Sequence, residues 1–135
     1  LPAMIRKFHE AKHDNHSSVI LWGSGSPLRE FLHVDDFAQA VLFALENKLD
    51  DYLYNVGSGS DLTIKALAKM IQKVIGHNGQ VLWDDSKPNG TPKKLMDSYK
   101  LNDMGWESST ELIDGIKKTY EWFLKSNQSH KICYR

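Results

Sequence analysis

The sequence predicts an α/β fold in which short strands alternate with helices. Three observations carry this reading. Apolar residues recur at one-face helical spacing in several segments, short β-branched or aromatic runs fall between them, and Gly/Ser- or Pro-rich turns separate the two. The 135 residues are 41% hydrophobic and 25% charged, which suits one folding unit with a real core and none of the bias of a disordered chain.

Leu1, Met4, Ile5 and Phe8 mark the buried face of a first helix, with Arg6, Lys7, Glu10 and Lys12 on its polar side. Val19–Trp22 is a β-rich run stopped by Gly23-Ser24-Gly25-Ser26-Pro27, and Glu30–Val34 is a second expected strand. Asp35 is the expected N-cap of a helix with Phe37, Ala40, Val41, Ala44 and Leu45 inward. Tyr52–Val56 is strand-like and ends at Gly57-Ser58-Gly59-Ser60. Thr63 caps a helix with Ile64, Leu67, Ala68, Ile71 and Ile75 inward and Gly76 as its stop. Gln80–Trp83 is a further strand, Lys87–Pro92 a turn-rich loop, and Leu101–Gly105 a short helix. Ser108 and Glu111 have capping-box spacing before a last helix bearing Leu112, Ile116, Tyr120, Phe123 and Leu124. Regular spacing fades after Lys125, so residues 1–126 are expected as the domain and 127–135 as a frayed polar tail.

Composition excludes several functions. Seventeen Lys/Arg against seventeen Asp/Glu argues against a nucleic-acid binder, and no apolar run is long enough to span a bilayer. The lone Cys133 rules out an internal disulfide and fits a reducing cytoplasm. Neither Gly-Ser-Gly-Ser turn has the sequence of a phosphate loop, and no nucleophile–base set is legible. His9, His13 and His16 lack a fourth ligand for a metal and are expected to be solvated. A helix start accounts for one of Asp35 and Asp36, and His33 reads equally as a packed histidine or a proton donor.

One cluster stands out. Arg29, Lys87, Lys93 and Lys94 lie on or beside Gly/Pro turns, where cations next to close-approaching backbone suit a diphosphate or carboxylate, and Trp22 offers a flat surface to a base or sugar. Scattered surface cations with a half-buried tryptophan are the alternative that these residues alone leave open.

The run Trp22-Gly23-Ser24-Gly25-Ser26-Pro27-Leu28-Arg29-Glu30-Phe31-Leu32-His33-Val34-Asp35-Asp36 resembles a signature of extended short-chain dehydrogenase/reductases that act on nucleotide sugars. The stretch from Ser86 to Asp97, with Leu1-Pro2-Ala3, Gly105-Trp106 and Tyr120–Leu124, is similar more narrowly to the GDP-L-fucose synthase family. The resemblance implies an α+β-like small C-terminal domain of an NADPH-dependent epimerase-reductase that makes GDP-L-fucose from GDP-4-keto-6-deoxy-mannose. It places substrate contacts on Lys7, Trp22, Arg29, Asn89 and Lys94, with Arg29 and Lys94 on the diphosphate. Where that family has Asp, Asn89 offers a neutral acceptor. Ala66 replaces a frequent Glu and removes a capping box behind Thr63.

The NADP(H)-binding domain and the catalytic residues of that family would lie upstream of Leu1. The chain is therefore expected to be a fragment that holds GDP-sugar, lacks turnover alone, and works with the N-terminal domain of a cytoplasmic homodimer. The alternatives are the same region of another nucleotide-sugar epimerase or dehydratase, or a non-catalytic binding module.

Overall fold

A computed structural model describes residues 1–132, with side chains through Ser126; Cys133 lies outside the described residues. The elements in chain order are α1 (Pro2–His13), β1 (Ser18–Trp22), β2 (Leu28–Glu30), α2 (Val34–Glu46), β3 (Asp61–Thr63), α3 (Ile64–Ile75), β4 (Gln80–Asp84), β5 (Lys93–Lys94), α4 (Tyr99–Asp103) and α5 (Leu112–Ile132). The α/β class is therefore as the sequence predicts.

Two small sheets share the molecule. β1 and β4 pair in parallel, from Ser18 opposite Gln80 to Trp22 opposite Asp84. A three-stranded sheet has the order β3-β2-β5, antiparallel between β2 and β3 and parallel between β2 and β5.

The main core lies where α1, β1, α3 and α5 meet. Ile5 and Phe8 from α1, Val19 and Leu21 from β1, Leu67, Ile71 and Ile75 from α3, and Ile116 from α5 are all buried. Period dictates this assembly, since each helix gives one apolar stripe and β1 gives alternate residues. The caps of α3 are as expected: the Ala66 N–H donates to Thr63 Oγ1 at 3.0 Å, and Gly76 takes φ 73°. A second, smaller cluster gathers Ala40, Leu101 and Trp106.

Several expectations change. The second strand is Leu28–Glu30 and shares only Glu30 with the expected Glu30–Val34, because its partners Asp61–Thr63 and Lys93–Lys94 set its register. α2 starts at Val34, with His33 at the N-cap position; the Asp35 N–H donates to His33 Nδ1 at 3.3 Å, so Asp35 is not the cap. The helix also sits rotated from the predicted face. Asp36 and Ala40 are buried, whereas Phe37, Val41 and Leu45 are exposed. Tyr52–Val56 forms no strand: Tyr54 and Val56 pack against Ala40, Leu101 and Trp106, and the Asn55 side chain donates to Asp97 O at 2.8 Å, with no strand ladder among the described residues.

At the other end of the chain, α5 begins directly after Glu111, and Ser108 does not cap it. The neighbouring Ser109 and Thr110 hydroxyls are given to Asp36 instead. α5 runs on to Ile132, beyond the fraying expected after Lys125.

Candidate nucleotide-sugar site

β1 ends at Trp22, and the chain turns away through Gly23 and Ser24. The Trp22 side chain stays 69% exposed because alternation along β1 sends Val19 and Leu21 inward. Two ammonium groups flank its indole: Lys7 Nζ and Lys87 Nζ each lie 5.9 Å from the ring centroid, within cation–π range. Lys7 is steadied by donating to the Ile20 carbonyl at 2.9 Å, which fixes its reach from α1 to β1.

The loop after β4 joins this aromatic ledge to the cations of the second sheet. Asn89 Oδ1 accepts from the Ser24 N–H at 2.7 Å and from Ser24 Oγ at 3.0 Å, pinning the loop to the turn after Trp22. The next residue, Gly90, lies so close to Arg29 that a Cβ there would sit 3.7 Å from Nη2. Arg29 is half-buried on β2 and donates from Nη1 to its neighbour's carbonyl, Leu28 O, at 2.6 Å. Lys94 on β5 is in direct register with Arg29.

Lys7, Trp22 and Lys87 thus form one group, Arg29 and Lys94 another, and Asn89-Gly90 bridges them. Lys93 departs from the expected cluster: it pairs with Asp61 at 3.3 Å. Asn89, a ligand contact by the resemblance, also accepts from Ser24 here and so holds the loop. The arrangement is an open ledge of cations beside an aromatic face. Such a surface can neutralise a compact polyanion with flanking hydrogen-bond donors while a ring packs alongside.

The remaining candidates divide differently. His13 and His16 are exposed, but His9 is not solvated as expected: α5 covers it, with Nδ1 3.0 Å from Tyr120 Oη and its ring edge-on to Phe123 at 5.1 Å. Among the described residues no group of acidic, His or Cys side chains could hold a metal ion, and no helix is long and apolar enough to cross a membrane. His33 faces its own helix start, as a packed cap.

Sequence reasoning missed Asp36. Its buried carboxylate accepts from the Ser109 and Thr110 hydroxyls, both at 3.0 Å, and from their N–H groups at 3.4 and 3.1 Å. Burial pushes its carboxyl up, but these hydrogen bonds outweigh that and hold it below the ordinary range. The adjacent Asp35-Asp36 pair was the only signal, because the donors lie 73 and 74 residues away.

The glycine turns bear on cofactor chemistry. The Gly23–Ser26 turn leads into β2 and the Gly57–Ser60 turn into β3, not into a helix N-terminus. Neither presents a helix N-terminus to a pyrophosphate, so neither turn fits that part of a dinucleotide.

Residues 1–57 match the model of the NAD dependent epimerase/dehydratase family. GDP-L-fucose synthase 1 of Arabidopsis thaliana is 50% identical over 126 residues, which is 93% of this chain and 39% of that protein. GDP-L-fucose synthase of Escherichia coli K12 is 45% identical, over 93% of this chain and 42% of its own length. This chain is similar in sequence to GDP-L-fucose synthases. It spans about two-fifths of the length of these curated relatives. Among solved structures, a GDP-L-fucose synthetase from Naegleria fowleri bound to NADP superposes with a TM-score of 0.87 at 25% identity, over 94% of this chain and 40% of that one.

Proposed function

We propose that this chain is the nucleotide-sugar-binding, C-terminal part of a GDP-L-fucose synthase. In this reading it holds the GDP moiety of GDP-4-keto-6-deoxy-mannose while an N-terminal domain binds NADP(H) and carries out epimerisation and reduction. The observation that carries the reading is the Asn89-Gly90 bridge, which sets the Trp22 ledge beside the Arg29–Lys94 pair. Arg29 and Lys94 neutralise the diphosphate, Lys7 adds a third cation beside Trp22, and Trp22 packs against a ring of the nucleotide. Asn89 contributes by fixing the loop.

The remote contacts do chemical work by orientation. Binding energy from the GDP end fixes where the sugar ring lies, so the keto-sugar meets the reacting groups in one pose. NADPH supplies the hydride when bound, and that chemistry lies outside these residues. The exposed apolar stripe of α2, with Phe37, Val41 and Leu45, supports the same reading: it is a face suited to contact with a further domain of the same enzyme. In the complete enzyme, a cytoplasmic homodimer is the corresponding assembly.

Titrating GDP while following tryptophan emission tests the assignment. Binding should change the emission, and Trp22→Phe should abolish most of the change while Trp122→Phe keeps it. The chain alone should not oxidise NADPH with the keto-sugar; turnover would contradict the reading of it as the binding part alone.

A further inference from the structure

Glu30 follows Arg29 on β2, and its carboxylate ties together three segments that are distant in sequence. Oε1 accepts from the Gly59 N–H at 2.8 Å and from Ser58 Oγ at 3.5 Å, while Oε2 accepts from the Met96 N–H at 3.1 Å. The backbone is shaped around this group: a Cβ at buried Gly57 would overlap the Glu30 carboxylate.

β5 needs such a tie. It is two residues long, with only Lys93 and Lys94 in register with Leu28 and Arg29. Strands that short gain little from their own ladder. On one side the Leu28 N–H donates to Pro92 O at 2.8 Å; on the other, beyond Lys94, the Glu30 bond to Met96 continues the attachment. Lys94 is therefore held from both flanks, and the second flank depends on one side chain.

We propose that Glu30 is the positioning residue that sets Lys94 beside Arg29 and so builds the diphosphate-binding pair; this rests on the nucleotide-sugar reading above. Both of its oxygens accept from N–H donors, a task a carboxylate performs and a primary amide does only at one atom. Its charge makes the consequence distinctive. A negative group next to Arg29 opposes an anionic ligand, so neutralising it should tighten diphosphate binding if electrostatics were its only influence. Loss of positioning acts in the opposite direction.

The test is Glu30→Gln in this chain, compared with wild type by calorimetry with GDP and with guanosine, and by amide hydrogen exchange. The expected result is GDP binding weakened about tenfold or more, guanosine binding unchanged, and faster exchange at Met96 or Gly59. With Arg29 and Lys94 both replaced by Ala, Glu30→Gln should cost no further GDP affinity. Unchanged or tighter GDP binding, or equal losses for GDP and guanosine, would overturn the positioning role. Should Glu30→Gln fold poorly, Ser58→Ala and Gly57→Ala probe the same tie from the opposite side, and Gly57→Ala should reproduce the selective loss of GDP. Failure of the wild type to bind GDP would instead overturn the nucleotide reading, while the exchange rates still decide whether Glu30 holds the two segments.

Discussion

Arg29 shows how one side chain can serve both fold and ligand. Its guanidinium keeps one donor on the Leu28 carbonyl and lies against the Gly90 backbone, which leaves other N–H groups for a phosphate. Arg29→Ala should weaken GDP by about 1.5–3 kcal/mol, the range for a hydrogen bond to a charged group, with a normal thermal melt. Asp36 acts on stability instead. Its carboxyl is held low in the folded chain, so the stabilisation it gives is complete above the unfolded carboxylate range near pH 4 and is lost as pH falls through the lower folded value. Asp36→Asn should cost about 1–3 kcal/mol at pH 7 by leaving N–H and O–H donors poorly matched, and it should flatten the loss of stability as pH falls below the ordinary carboxylate range. Urea titrations at several pH values measure both; an unchanged acid limb would remove Asp36 from the account.

Elements were legible in proportion to how local their determinants are. α3 could be read almost residue by residue, because its apolar face, its Thr63 cap and its Gly76 stop all lie within one segment. Thr63→Ala should therefore lower stability by about 0.5–2 kcal/mol, measurable by denaturant unfolding. β2 overlaps the expected strand only at Glu30 because its limits are set by Asp61–Thr63 and Lys93–Lys94, which no local pattern identifies. Of the expected α2 stripe Ala40 is buried, but Phe37, Val41 and Leu45 are exposed, since the Asp36 bonds to Ser109 and Thr110 fix the rotation of that helix. The site divides along the same line. Arg29, Lys94 and Trp22 stood out as cations and an aromatic at turns, whereas the grip of Asn89 on Ser24 and of Glu30 on Gly59 and Met96 exists only in three dimensions.

At the scale of the whole molecule, a neutral chain carries two unlike surfaces: a cationic ledge, and an apolar face on α2 where Val34 and Leu45 are 70% and 78% exposed. The apolar face should make the isolated chain self-associate as concentration rises, and Phe37→Glu with Leu45→Lys should shift it toward monomer in analytical ultracentrifugation without changing GDP affinity. The role proposed for the ledge is recognition of a guanosine diphosphate in particular, not of phosphate in general. Calorimetric titration of the chain with GDP, UDP and dTDP in the same buffer decides this. Saturable one-to-one binding with GDP preferred is expected; preference for UDP or dTDP, or no binding of any of the three, would overturn the proposed role.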